Sequence, residues 1–144
     1  MSAPLSFAFP AELSSLADVL DQIDRHGQVH DWPGVWRNQI RLVVEELVMN
    51  ALSYGDRIGP GPAIRLTLTQ QAGRVVIDFA DDGAAFDPLQ LAAPDVDATL
   101  DERRAGGLGV YLVRQMVDAI SYRRAGGQNH LHIVKVLSPA RHTQ

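Results

Sequence analysis

Three groups of residues have types and spacings that could do chemistry. Glu46 and Asn50 stand four positions apart, so on a helix both side chains leave one face, a turn apart. A carboxylate so placed could take a proton from an attacking hydroxyl. A carboxamide so placed could offer its oxygen to Mg²⁺, which takes few protein ligands and keeps its waters and phosphates. The second group, Asp81-Asp82-Gly83-Ala84-Ala85-Phe86, closes an alternating apolar run whose inward face also takes Asp81. A buried carboxylate must find donors, and the exocyclic amine of adenine would be one. Gly83 has no side chain, so a flat base could approach the backbone there. The third group is Gly106-Gly107-Leu108-Gly109, at the start of a helical pattern. Free N–H groups at the positive end of a helix dipole suit phosphate, and Arg103 or Arg104 could add charge to the same oxygens. Taken singly, the first group also reads as a helix-edge polar pair and the second as an ordinary Asp-Gly turn.

Leu5–Phe9, stopped by Pro10, reads as a first strand. Leu13, Leu16, Ala17, Leu20 and Ile23 recur at helical spacing toward Gly27. After Pro33-Gly34 a stronger helix runs to about Tyr54, with Ile40, Val43, Val44, Leu47, Val48 and Ala51 as a broad buried stripe. Trp32 and Trp36, just before it, suit the core or a hinge. Gly59-Pro60-Gly61-Pro62 marks a turn. Ile64, Leu66 and Leu68 alternate with polar residues, and Val75, Ile77 and Phe79 follow across Gly73. Between Phe86 and Gly106 the periodicity fails for about twenty residues, the pattern of a functional lid or a disordered loop. Val110, Val113, Val117 and Ile120 mark a third helix, and strands near Ser121–Arg124 and His130–Val136 close the chain around Gly126-Gly127. The expected fold is an α/β (α+β) two-layer sandwich, with helices on one face of a mixed, mainly antiparallel sheet.

With 144 residues the expected organisation is a single domain, 1–144. Thirteen basic against seventeen acidic residues, net −4, argue against nucleic acid or an anionic membrane as partner. The absence of cysteine removes disulfides, thiolate catalysis and Cys-ligated zinc. Lys135, the one lysine, lies in an apolar stretch with no glycine-rich loop before it, which excludes a Walker-type phosphate loop. A dinucleotide fingerprint fails too, since Leu112 stands at its third glycine and Asn129 where an acidic residue belongs. No targeting signal precedes Arg25 and no apolar run could span a membrane, so the expected location is cytoplasmic. His26 and His30 suit the surface. His130 and His132 alternate on one strand face without a third metal ligand in view.

In this order and on these elements, the three groups resemble the N, G1 and G2 boxes of the GHKL ATPase superfamily, a histidine kinase-like, Bergerat-type ATP-binding fold that holds Mg-ATP under a flexible lid. The N box corresponds to Glu45–Ala51, G1 to Asp81–Phe86 and G2 to Gly106–Gly109. The closer resemblance is to the single-domain anti-sigma factor serine/threonine kinases of the RsbW type, through Asp-Asp-Gly-x-x-Phe-Asp-Pro at 81–88, Glu102-Arg103 through Gly109, and Tyr122-Arg123-Arg124 through Asn129. That resemblance implies Glu46 as general base and Asn50 as magnesium ligand. It implies Asp81 as adenine anchor, Gly83 and Phe86 beside the base, and Arg104, Gly107, Leu108 and Gly109 at the phosphates beneath a lid at about 87–107. Asn129 stands where many relatives carry a threonine holding an adenine-bound water. The implied partners are a STAS-type anti-anti-sigma protein and a sigma factor, and relatives often form homodimers. The alternative is a nucleotide-dependent module that sequesters a sigma factor or other regulator without significant kinase activity. A histidine kinase would need a phospho-accepting helical hairpin that the residues before the second helix cannot build.

Overall fold

The computed structural model describes residues 4–54, 63–85, 87–90 and 108–137, with side chains omitted at 53, 54 and 108–110. The elements are β1 (Leu5–Phe9), α1 (Leu13–Val29), α2 (Gly34–Tyr54), β2 (Ile64–Gln71), β3 (Arg74–Asp81), α3 (Leu108–Met116), β4 (Ala119–Ala125) and β5 (Gln128–Val136). The five strands form one sheet in the order β1-β2-β3-β5-β4. Every described pair in it is antiparallel.

Alternation decides which face is covered. Leu66, Phe79 and Leu131 stand side by side across β2, β3 and β5, and so do Leu68, Ile77 and Ile133. All six are buried and belong to one core with the apolar stripe of α2. Ile40, Val43, Val44, Leu47, Val48 and Ala51 are buried as their spacing predicts, each larger side chain contributing about 1.5–3 kcal/mol of burial. Trp32 is core and Trp36 packs against it.

α1 presents a narrower stripe than its sequence suggests. Leu16, Val19 and Ile23 are buried, whereas Leu13 and Ala17 are exposed. The helix runs past Gly27 to Val29. It closes with Asp31 in the left-handed region (φ 59°), Trp32 N–H donating to Gly27 O at 2.8 Å and Asp31 N–H to Gln28 O at 3.2 Å. That pair of bonds is a Schellman ending. Trp32 Nε1 then donates to Gln70 Oε1 at 3.1 Å, tying the α1–α2 turn to β2. Gly27 is buried, and a Cβ there would meet Arg37 Cγ and Cδ at 2.8 Å and Trp32 Cε3 at 2.9 Å.

α3 is shorter than the run Val110–Ile120 implies. Val113 is fully buried, but the helix stops at Met116, and Ile120 lies in β4. Asp118 N–H donates to Val134 O at 2.9 Å, so strand pairing takes the backbone before another helical turn can form. Lys135 Nζ donates to Met116 O at 2.8 Å, capping a carbonyl at the negative end of α3. None of the described helices is long and apolar enough to cross a membrane.

Candidate functional site

The sheet register builds one row of residues on the helix-covered face: Phe9, Ile64, Asp81, Asn129 and Arg124, on β1, β2, β3, β5 and β4. The apolar end of the row joins the core, and the polar end bonds to the loop leaving β3. Asp81 Oδ1 accepts from Gly83 N–H at 2.9 Å and from Asn129 Nδ2 at 3.1 Å. Asn129 Nδ2 also donates to Ala84 O at 2.9 Å. Asn129 Oδ1 accepts from Tyr122 OH at 2.6 Å and from Arg124 Nη1 at 3.2 Å. Arg124 Nη1 reaches Gly83 O at 2.8 Å. Asn129 is 6% exposed, so its amide is shielded from water, although Arg124 is exposed. A bond left unmade at the buried amide would cost about 1–3 kcal/mol. Gly83 is buried, whereas Asp81 is half-buried.

The turn after this loop is held by its own side chains. Asp87 Oδ1 accepts from Leu89 N–H at 2.9 Å, starting a 3₁₀ turn over Pro88–Gln90. Arg114 of α3 donates to Leu89 O at 3.4 Å. Glu46 and Asn50 sit on one face of α2, both half-buried at the margin of its apolar stripe. α3 packs against α2, and Leu108 and Gly109 form its first turn. Of the lid expected at about 87–107, residues 87–90 form the turn at Asp87, and 91–107 lie outside the described residues, as do Phe86, Arg103, Arg104, Gly106, Gly107 and the expected turn at Gly59–Pro62.

Over residues 9–135 the chain matches the histidine kinase-like ATPase domain. It belongs to that family. Among curated relatives, it is 36% identical over 108 residues to the serine/threonine-protein kinase BtrW of Bordetella bronchiseptica, covering 75% of this chain and 76% of that one. Two solved structures share the fold. The RsbU and RsbW domains of Rv1364c from Mycobacterium tuberculosis superpose with TM-score 0.72 at 16% identity over 99% of this chain. The SiaB–SiaC complex from Pseudomonas aeruginosa superposes with TM-score 0.58 at 17% identity, covering 92% of this chain and 89% of the matched one. The chain spans 35% of the Mycobacterium tuberculosis protein chain.

In this histidine kinase-like ATPase domain, two residues that their types alone did not single out join the hydrogen bonds around Asn129. Tyr122 and Arg124 alternate on β4 and both bond to Asn129. A signal was present in the sequence. Gly126 and Gly127, both at positive φ (61° and 73°), form the two-residue hairpin loop that fits a type I′ turn. That loop places Arg124 opposite Asn129 and Tyr122 opposite Leu131. The remaining polar candidates are engaged elsewhere. His132 Nδ1 lies 2.6 Å from Asp78 Oδ1 on the opposite sheet face, and His130 Nε2 lies 3.3 Å from Ala125 O. The rings of His26 and His30 lie with centroids 4.3 Å apart, tilted 49° to one another, and His26 meets Trp32 edge-on at 5.6 Å. Desolvation first, then the neighbouring His30, holds the His26 imidazole below its ordinary value. Glu45 and Arg41, spaced for an ion pair on α2, form none with each other or with any other of the described residues.

Proposed function

We propose that this histidine kinase-like ATPase domain is a Mg-ATP-dependent serine/threonine protein kinase that regulates an anti-sigma switch by phosphorylating a STAS-type anti-anti-sigma partner. Asp81 carries the reading. Two donors fix its carboxylate through Oδ1, and among the described residues no hydrogen bond occupies Oδ2. A half-buried oxygen held in one direction, able only to accept, suits the exocyclic amine of adenine. The buried Gly83 next to it offers backbone to a flat ring, and Phe86 follows.

The donor set fits ATP with magnesium. Asn50 supplies one hard oxygen, the share of a coordination sphere that Mg²⁺ asks of a protein when phosphates and waters provide the rest. When bound, the ion supplies charge neutralisation at the phosphates. Phosphates at the positive end of α3 would be met by backbone N–H groups of the Gly107-Leu108-Gly109 stretch, with Arg104 as the added charge. Phosphoryl transfer depends mainly on such positioning and electrostatics. Glu46 accepts the proton of the partner's serine or threonine hydroxyl as its oxygen bonds to the γ-phosphorus and ADP leaves. The similarity to BtrW supports the kinase assignment. A sigma factor as second partner, a homodimer and a cytoplasmic location belong to the same proposal.

The deciding experiment is transfer of labelled γ-phosphate from Mg-ATP to proteins in a lysate of the source organism, followed by acid and alkali. Label on a small protein that survives acid and is lost in alkali marks phosphoserine or phosphothreonine and supports the kinase. Label lost in acid marks phosphohistidine and overturns it. No label, from protein that binds ATP, leaves the sequestering module as the function.

A further inference from the structure

We infer that Asn129 is a positioning residue, locked by Tyr122 and Arg124, that sets preference for adenine over guanine by fixing the direction of the Asp81 carboxylate. The inference rests on the reading of Asp81 as the adenine anchor, and it concerns what makes that anchor selective.

An asparagine side chain has two N–H donors and one oxygen with two lone pairs. Among the described residues, Asn129 uses all four: Nδ2 with Asp81 Oδ1 and Ala84 O, Oδ1 with Tyr122 OH and Arg124 Nη1. The amide cannot be reversed, because the Arg124 guanidinium only donates and the Ala84 carbonyl only accepts. At 6% exposure, with its bonding capacity filled, Asn129 has nothing left to offer a base or a base-bound water. Its effect on the ligand must pass through what it holds.

What it holds is the binding loop. The β4–β5 hairpin fastens three consecutive features: the Asp81 carboxylate through Asn129, the Gly83 carbonyl through Arg124, and the Ala84 carbonyl through Asn129. One Arg124 nitrogen serves both the Gly83 carbonyl and the Asn129 oxygen, so loop and strand cannot shift separately. With Oδ1 engaged twice, Oδ2 points one way. Adenine meets it with an amine hydrogen. Guanine would bring a carbonyl oxygen against it, leaving two acceptors face to face, a mismatch that costs more when the carboxylate cannot turn aside. A looser carboxylate would lose affinity for ATP and tolerate guanine better.

Tyr122 is the discriminating position, since among the described residues its hydroxyl bonds to Asn129 alone. Titrations of the full chain with Mg-ATP and with Mg-GTP, for wild type, Tyr122→Phe, Arg124→Met and Arg124→Lys, test the inference. Tyr122→Phe should weaken ATP about 3–10-fold, the size of one hydrogen bond. GTP affinity should hold or rise, with kcat unchanged and the KM for ATP increased. Arg124→Met should narrow the ATP-to-GTP ratio further, with partial recovery in Arg124→Lys. Melting temperatures identify any variant that has not folded, and Tyr122→Phe decides the matter if Arg124→Met is one. Folded variants that keep the wild-type ratio overturn the inference, as does an equal loss for both nucleotides, which marks a merely structural role. A wild-type chain without preference for ATP overturns the earlier reading of Asp81 itself, a distinguishable failure.

Discussion

Asn129 Nδ2 donates to Asp81 Oδ1 at 3.1 Å, joining β5 to β3 between residues 48 positions apart in the chain. The contact exists because the antiparallel register sets the two directly opposite one another on the face the helices cover.

Asp81→Asn should keep the fold and lose the nucleotide. The asparagine oxygen can still accept from Gly83 N–H and Asn129 Nδ2, but its amide then meets the adenine amine donor against donor. A charge-assisted hydrogen bond of about 1.5–3 kcal/mol disappears, roughly 10–100-fold in affinity. Titration with Mg-ATP alongside a melting curve measures both; unchanged affinity would remove Asp81 from the site.

Glu46→Gln should separate binding from chemistry. The amide keeps the size of the side chain and cannot take a proton at neutral pH, so phosphoryl transfer should fall by about 10²–10⁴ while the Kd for ATP stays within a few-fold. Single-turnover transfer with labelled ATP reads the first quantity and calorimetry the second. Full activity in the variant would assign the proton to another acceptor.

The α1–α2 turn offers two substitutions of opposite sign. Asp31 has a φ of 59°, a region that costs a residue with a Cβ about 1 kcal/mol and glycine almost nothing. Asp31→Gly should therefore raise the stability by up to about 1 kcal/mol. Gly27→Ala brings a methyl within 2.8–2.9 Å of Arg37 and Trp32. The helical preference for alanine returns about 1 kcal/mol, while overpacking beside a buried tryptophan costs about 1–3 kcal/mol. The net effect should be destabilising. Urea unfolding of the two variants checks both signs, and a stabilised Gly27→Ala would mean that Trp32 can shift.

Stability should also fall in mild acid through His26. Its imidazole lies below the ordinary 6.5 in the folded chain, so as pH drops through 6.5 the unfolded chain takes up the proton first. Protonation then favours unfolding, and stability rises with pH across that window. Between pH 7.5 and 5.5 the wild-type melting temperature should fall more than that of His26→Gln. Parallel slopes in the two proteins would place the pH dependence elsewhere.

Much of this was carried by local pattern. The stripe of α2, the alternation in β2 and β3, and the inward side of Asp81 follow from periods of 3.6 and 2 that any buried helix or half-covered strand must show. Glu46, Asn50, Asp81, Gly83 and the helix opening at Leu108 stood out because their types break those periods. Pattern misled where two periods overlap: Val117 and Ile120 extend a helical spacing, yet Asp118 had already entered the pairing of β4 with β5. It misled again on α1, where Leu13 fits the spacing but has no layer to bury against and Val19 does.

By itself, the sequence determined the order of the elements and most of their covered faces, and it singled out the residues proposed to bind a nucleotide, since each depends on neighbours within a turn or two of the chain. The tertiary structure alone decided that Asn129 has no bond to spare, that Arg124 reaches Gly83 across 41 positions, and that the single lysine caps α3. Those bonds join residues far apart in the chain, and strand register and side-chain reach, which no local period encodes, set which donor meets which acceptor.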